Sequence, residues 1–112
     1  MEFQEEENYG LVVIRLKGKM LGGADANALN ERIHQLLDEG KTRFIADMEN
    51  VDMMTSSGLG VLISALTAAR NQMGDIKLVN LPEKIHHVLE ITKLDRVFDI
   101  YSTVEEAQKS FQ

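Results

Sequence analysis

A run of small residues interrupts the apolar pattern near the middle of the chain. In the segment MMTSSGLGVLISAL, the hydroxyl residues Thr55, Ser56 and Ser57 precede Gly58 and Gly60. The segment joins a predicted strand to a predicted helix, and ligand sites in open α/β sheets lie off the carboxyl ends of the strands. The unpaired N–H groups and partial positive charge of a helix start favour an anion. These residues therefore suggest a turn at which an anionic group or a partner is recognised.

A purely structural role for the same residues stays open. Ser56 or Ser57 would cap the helix by accepting a hydrogen bond from a backbone N–H two or three residues further on. Gly58 and Gly60 would then only allow close packing. The residue types alone do not decide between a helix cap and a recognition site.

Several other site chemistries are excluded by their missing motifs. The P-loop pattern GxxxxGK[ST], the dinucleotide pattern GxGxxG and the nucleophile elbow GxSxG do not occur in the sequence. His34, His86 and His87 lack the spacing of metal ligands, since adjacent helical side chains point about 100° apart. We therefore expect no metal site and no cofactor.

Composition narrows the class of protein further. A length of 112 residues predicts one domain spanning residues 1–112, and 44% apolar residues suffice for a core. The chain has no cysteine and a net charge of −6, which argues against a thiol enzyme and against a nucleic-acid binder. Its longest apolar stretch is about half the ~20 residues that cross a bilayer, and its acidic start is unlike a signal peptide. We expect a cytoplasmic protein without direct membrane insertion.

Hydrophobic periodicity predicts alternating strands and helices. The predicted strands span residues 11–17, 43–49, 76–80 and 98–101, with a polar edge strand over 2–8 that pairs with the first across Tyr9–Gly10. Helices are predicted over 25–38, over 58–73, after Pro82, and at the C-terminal end, where Ser102 with Glu105 or Thr103 with Glu106 forms a capping box.

This order predicts an α/β fold with a mostly parallel mixed sheet of four to five strands. The strands alternate between apolar and charged residues instead of reading as continuous apolar runs, so we expect helices mainly on one face. The charged positions of the other face are Arg15, Lys17, Asp47, Glu49 and Lys77. We interpret the acidic cluster of Asp47, Glu49 and Asp52 as solvated charges.

The segment IADMENVDMMTSSGLGVLISAL resembles the central segment of STAS domains, a family typified by bacterial anti-sigma factor antagonists. VIRLKGKM resembles an early strand of that family, IKLVN a later one, and LEITKLDRVFDIYSTVEEA its C-terminal helix, strand and helix. The resemblance covers nearly the whole chain.

The resemblance implies a regulated binding protein that is not an enzyme. Its regulatory phosphorylation site falls on Ser56, with Thr55 and Ser57 as competing acceptors. The implied partners are an anti-sigma factor that is also a serine kinase of the histidine-kinase-like ATPase type, and a serine phosphatase. The implied partner-binding residues are Thr55, Ser56, Ser57, Gly58, Leu59 and Gly60.

Two positions depart from the family pattern. Thr55 and Leu21 stand where the family commonly has Asp, which lowers the negative charge near Ser56, and Asp25 is a possible replacement. Two other functions stay open: a STAS module that acts without phosphorylation in a scaffold or transport complex, and a small-ligand or nucleotide-binding domain that uses the same helix start.

Overall fold

A computed structural model of the protein describes residues 1–111, apart from the side chain of Asp25. The role of that side chain as a replacement acid therefore lies outside the described residues. Within residues 1–111 the chain forms five strands and four α-helices. In chain order they are β1 Glu2–Asn8, β2 Leu11–Met20, α1 Ala24–Asp38, β3 Arg43–Met54, α2 Ser56–Asn71, β4 Asp75–Val79, α3 Glu83–Ile91, β5 Ile100–Tyr101 and α4 Val104–Ser110.

The strands form one mixed sheet in the order β1-β2-β3-β4-β5. β1 pairs antiparallel with β2, and all other neighbours are parallel. The predicted α/β class, the mostly parallel sheet and the polar edge strand are thus confirmed. Of the two possible capping boxes at α4, Thr103 forms the cap, since its Oγ1 accepts the Glu106 N–H at 3.2 Å.

Helices α1, α2 and α3 pack on one face of the sheet over the larger core, which includes Leu16, Phe44 and Leu78. Among the described residues, α4 is the one helix on the opposite side, which we call the second face, where a small core consists of Val13, Ile45, Val79 and Ala107. The prediction that helices cover mainly one face is therefore confirmed.

Two charges of the second face are buried rather than solvated. Asp47 is 7% exposed, and its Oδ1 accepts the Asn80 side-chain amide at 3.2 Å and the Glu49 N–H at 3.1 Å. The interpretation of Asp47 as a solvated charge is wrong, because β4 ends beside β3 and brings Asn80 within reach. Glu49 is exposed, as expected.

Lys77 is the second buried charge, with 6% exposure. Its Nζ donates to Ser110 Oγ at 2.6 Å and lies 4.2 Å from the ring centroid of Phe111 and 5.5 Å from that of Tyr101. A hydroxyl and two aromatic rings compensate the ammonium for lost hydration. The lysine thereby fastens the C-terminal end of α4 to the sheet.

Salt bridges fasten β1 to the helical side of the sheet. Glu5 accepts a hydrogen bond from Arg32 Nε of α1 at 2.7 Å and another from the Nη2 of the same arginine, while Glu7 pairs with Lys41 at 2.8 Å. The hydrogen bond from the Arg32 guanidinium lowers the pKa of the Glu5 carboxyl, which burial alone would raise. Acidic side chains also discourage further strands from joining this edge.

β2 and β3 are longer than predicted and reach Met20 and Met54. Their pairing shifts register twice, between Arg15 and Lys17 and between Gly18 and Lys19, where Gly18 has a φ of 99°. These irregularities interrupt the alternation of apolar and charged residues from which the ends of the two strands were predicted. β3 pairs with β4 only as far as Asp47, so the last part of β2 and β3 forms a two-stranded ribbon that leads to the serine turn.

Candidate functional site

The turn between β3 and α2 is tied to the end of β2. The Met20 carbonyl oxygen accepts the Thr55 N–H at 3.0 Å and the Thr55 Oγ1–H at 3.3 Å. Thr55 Oγ1 in turn accepts the Gly58 N–H at 3.3 Å, which makes Thr55 the N-cap of α2. The alternative in which Ser56 or Ser57 caps the helix is wrong, because the helix begins at Ser56, two residues before the predicted start.

The two glycines of the turn have different roles. A Cβ on Gly58 would lie 2.2 Å from the Met20 carbonyl oxygen, so only glycine lets α2 approach β2 this closely. A Cβ on Gly60 would meet nothing within 4 Å, and Gly60 is exposed. Gly58 is therefore a packing residue, whereas Gly60 leaves the helix surface open.

The three consecutive hydroxyls have three different environments. Thr55 is half-buried, and its hydroxyl both donates and accepts in the cap. Ser57 lies against the loop after β2, where a Cβ on Gly22 would be 2.7 Å from the Ser57 Cβ. Ser56 is exposed, and no hydrogen bond engages its hydroxyl within the described part of the chain. Ser57 is also exposed and has no side-chain hydrogen bond among the described residues, so the Gly22 loop beside it is what distinguishes it from Ser56.

The implied partner-binding residues divide between surface and interior. Ser56, Ser57 and Gly60 are exposed, and Thr55 is half-buried. Gly58 and Leu59 are buried, Leu59 with 4% exposure in the larger core. The part of this set that faces solvent is a narrow strip along the first turn of α2.

The electrostatics of the strip favour an added anion. The first turn of α2 contains no acidic residue, so the helix N-terminus is not neutralised by its own side chains. A phosphate on Ser56 would lie at this end of the helix, where backbone N–H groups are available.

Sequence reasoning missed the exposed apolar surface beside the strip, although it named Leu21 for the acidic residue that is absent there. Leu21 and Met53 are 49% and 46% exposed, respectively, although both belong to residue types that normally lie inside. Leu21 follows Met20 directly, and Met53 precedes Thr55 by two positions. The adjacent Met20 and Met54 are 0% and 6% exposed, and only the fold distinguishes the inward from the outward members.

Two other properties bear on function. Across residues 1–111, no cluster of three or more acidic or histidine side chains has a geometry that would hold a metal ion. None of the described helices combines the length and hydropathy that a bilayer span requires. His86 instead lies beside Glu90 on α3, with 3.3 Å between Nδ1 and Oε1.

Comparison with known proteins gives consistent matches over most of the chain. A family model described as STAS domain matches residues 2–107. The anti-sigma-B factor antagonist of Bacillus subtilis is 32% identical over 80 residues, which are 71% of this chain and 72% of the relative.

Two solved structures extend the comparison. The crystal structure of a candidate anti-sigma factor antagonist from Thermotoga maritima superposes with a TM-score of 0.87 at 27% identity, covering 96% of this chain and 92% of that one. The Bacillus cell fate determinant SpoIIAA in its phosphorylated form superposes with a TM-score of 0.77 at 25% identity, covering 99% and 100%. These matches confirm the resemblance identified from the sequence.

Proposed function

The chain belongs to the STAS domain family, and from that premise we propose that it is an anti-sigma factor antagonist switched by phosphorylation of Ser56. Its unmodified form binds an anti-sigma factor, which then releases a sigma factor. The anti-sigma factor is also an ATP-dependent serine kinase of the histidine-kinase-like type. A serine phosphatase restores the binding form. In this function the protein acts in the bacterial cytoplasm as a substrate and binding module, not as an enzyme.

The main support for the proposal is the environment of Ser56. Ser56 and Ser57 are both exposed and without a side-chain hydrogen bond among the described residues, whereas Thr55 is half-buried and hydrogen-bonded in the cap. Thr55 would lose its cap if it were modified, and Ser57 lies against the Gly22 loop. The relatives named as anti-sigma factor antagonists support the kind of partner, and SpoIIAA, which also carries that name, has been solved in a phosphorylated form.

Phosphate chemistry explains how the switch would act. A phosphoserine adds about −1.5 to −2 charges and three acceptor oxygens. At the start of α2 this charge suits the helix dipole, so the fold tolerates it. In a closed interface the same charge loses its hydration and, without a cationic partner, opposes binding. Phosphorylation therefore changes affinity with little effect on the stability of the domain.

The proposal is tested by a pull-down from extract of the native cell, with and without ATP, followed by phosphosite mapping. We expect a kinase of the histidine-kinase-like ATPase type among the captured proteins, and phosphate on Ser56. Ser56→Ala should abolish modification, and Ser57→Ala should retain it as a matched control. Phosphate only on Thr55 or Ser57 would overturn the assignment. Capture of a membrane transport complex without any phosphate would favour the scaffold function instead.

A further inference from the structure

Two exposed apolar side chains flank Ser56. Within residues 1–111, the large apolar side chains with substantial exposure are Tyr9, Leu21, Met53, Met73, Ile91 and Val97. Leu21 lies in the loop after β2, whose Gly22 contacts Ser57. Met53 lies near the end of β3, two residues before the N-cap of α2. The turn that holds Ser56 is therefore bordered by apolar surface on both adjoining segments.

The strand pairing keeps these two residues close to the turn. Met53 pairs with Lys19, and Met54 pairs with Met20 in the next register position. The Met20 carbonyl oxygen then binds Thr55. Leu21 and Met53 thus adjoin the same short segment of hydrogen-bonded backbone that holds the turn.

Met53 also forms a wall of a small cavity between the end of β3 and α3. The cavity has a volume of about 140 Å³ and is lined by Asp52, Met53, Met54, Lys84, Ile85 and Val88. Its apolar lining and size suit a single aliphatic side chain, and its charged residues, Lys84 and Asp52, are exposed. Apolar pockets of this kind, rimmed by charges, are typical of the centre of a protein–protein interface.

The fold itself does not depend on Leu21 or Met53. Each leaves nearly half of its surface in water, and neither is a member of either core. A polar residue at either position would keep the core intact. A contact with a partner would bury both side chains beside the switch residue.

We propose that Leu21 and Met53 are specificity-determining contacts for the anti-sigma factor kinase, an inference that rests on the proposed function. The partner inserts one aliphatic side chain into the cavity beside Met53 and covers Leu21 with apolar surface. Closure of these contacts on both sides of the turn removes water from Ser56. The apolar border thereby converts the phosphate into a release signal, because a phosphate in a dry interface cannot keep its hydration shell. A wet interface would hold bridging waters and tolerate the same phosphate.

The test measures calorimetric binding of the kinase to four full-length forms: wild type, Leu21→Ser, Met53→Ser and the control Met73→Ser. Met73 is 96% exposed beyond the far end of α2, so its replacement changes apolar surface without touching the turn. We expect Leu21→Ser and Met53→Ser, the two border variants, each to bind the kinase about ten-fold more weakly than wild type, because each removes the hydrophobic contribution of about half a buried side chain. The control Met73→Ser should bind as wild type does. Thermal melts check the fold, and Leu21→Gln and Met53→Gln preserve size if a serine variant melts early.

The second measurement repeats each titration with the Ser56-phosphorylated form. Wild type should discriminate strongly between its unmodified and phosphorylated forms, and the ratio of the two affinities should fall in the border variants. Border variants that bind as tightly as Met73→Ser, with unchanged discrimination, would overturn the inference while leaving the proposed function intact. Wild type that binds no kinase in either form would overturn both.

Discussion

The Ser56 turn and the second face of the sheet both carry polar side chains, but these side chains have different hydrogen-bond partners in the two regions. On the second face Asp47 is paired with Asn80, and Lys77 with Ser110 and two aromatic rings. At the turn Ser56 points into solvent with its hydroxyl unengaged within the described residues. Polar groups that satisfy one another stabilise the fold, whereas a free hydroxyl at an exposed turn is available to a partner.

The close packing of α2 against β2 at Gly58, which holds the turn in place, gives the largest expected change in stability. Gly58→Ala places a methyl group 2.2 Å from the Met20 carbonyl oxygen, so α2 must move away from β2. We expect a loss of at least about 3 kcal/mol in the free energy of unfolding, at the upper end of the cost of overpacking. Denaturant titration measures it. Gly60→Ala is the matched control and should be neutral or up to about 1 kcal/mol stabilising, because alanine favours helix. Equal stability of both variants would contradict the packing role of Gly58.

The next largest expected effect is on the affinity for the kinase, which depends on the charge at position 56. Ser56→Asp should melt close to wild type, since a carboxylate at a helix start is favourable. Its affinity for the kinase should fall about 100-fold, because an unpaired charge in a closed interface costs several kcal/mol. Ser56→Ala should bind like the unmodified protein and resist release by ATP. Calorimetric titration distinguishes the two, and tight binding by both variants would exclude a charge switch.

A matched pair of alanine variants tests the difference between the two regions directly. Asp47→Ala should cost about 1–3 kcal/mol of stability, because the Asn80 amide and the Glu49 N–H lose their acceptor in a partly buried site. Ser56→Ala should stay within about 0.5 kcal/mol of wild type, because that side chain makes no hydrogen bond among the described residues. Both are measured by thermal unfolding. A costly Ser56→Ala would show that the serine is structural after all.

The smallest effect on stability concerns the salt bridge between Glu5 of β1 and Arg32 of α1, which belongs to neither region. The Arg32 hydrogen bond lowers the pKa of Glu5, so the ionised pair stabilises the fold above the ordinary carboxyl pKa and the contribution is lost as pH falls through the lowered value. Glu5→Gln should cost about 0.2–1 kcal/mol near neutral pH, as is usual for exposed pairs. Unfolding curves of the two proteins should converge in acid. A difference that persists below the lowered pKa would point to packing instead of charge.

The sequence was sufficient for the order of elements and for placing the serine turn between β3 and α2, because periodicity and turn residues are local signals. It failed where the deciding neighbour is distant in the chain. Asp47 meets Asn80 from another strand, and Thr55 becomes the cap because the end of β2 fixes the start of α2 through Met20. No local pattern shows which of three adjacent hydroxyls will hold that position. The exposure of Leu21 and Met53 has the same origin, since it depends on register shifts within β2 and β3.

The ribbon formed by the ends of β2 and β3 has a mechanical consequence. Up to Asp47, β3 is hydrogen-bonded on both edges, but beyond it, within residues 1–111, only β2 pairs with the strand. Backbone amides near the end of β3 should therefore exchange with solvent faster than those near Phe44, because a two-stranded segment opens at lower free energy than the interior of a sheet. The serine turn thus follows the more flexible, two-stranded end of the sheet. Small displacements of the turn when a partner binds therefore need not disturb the rest of the sheet.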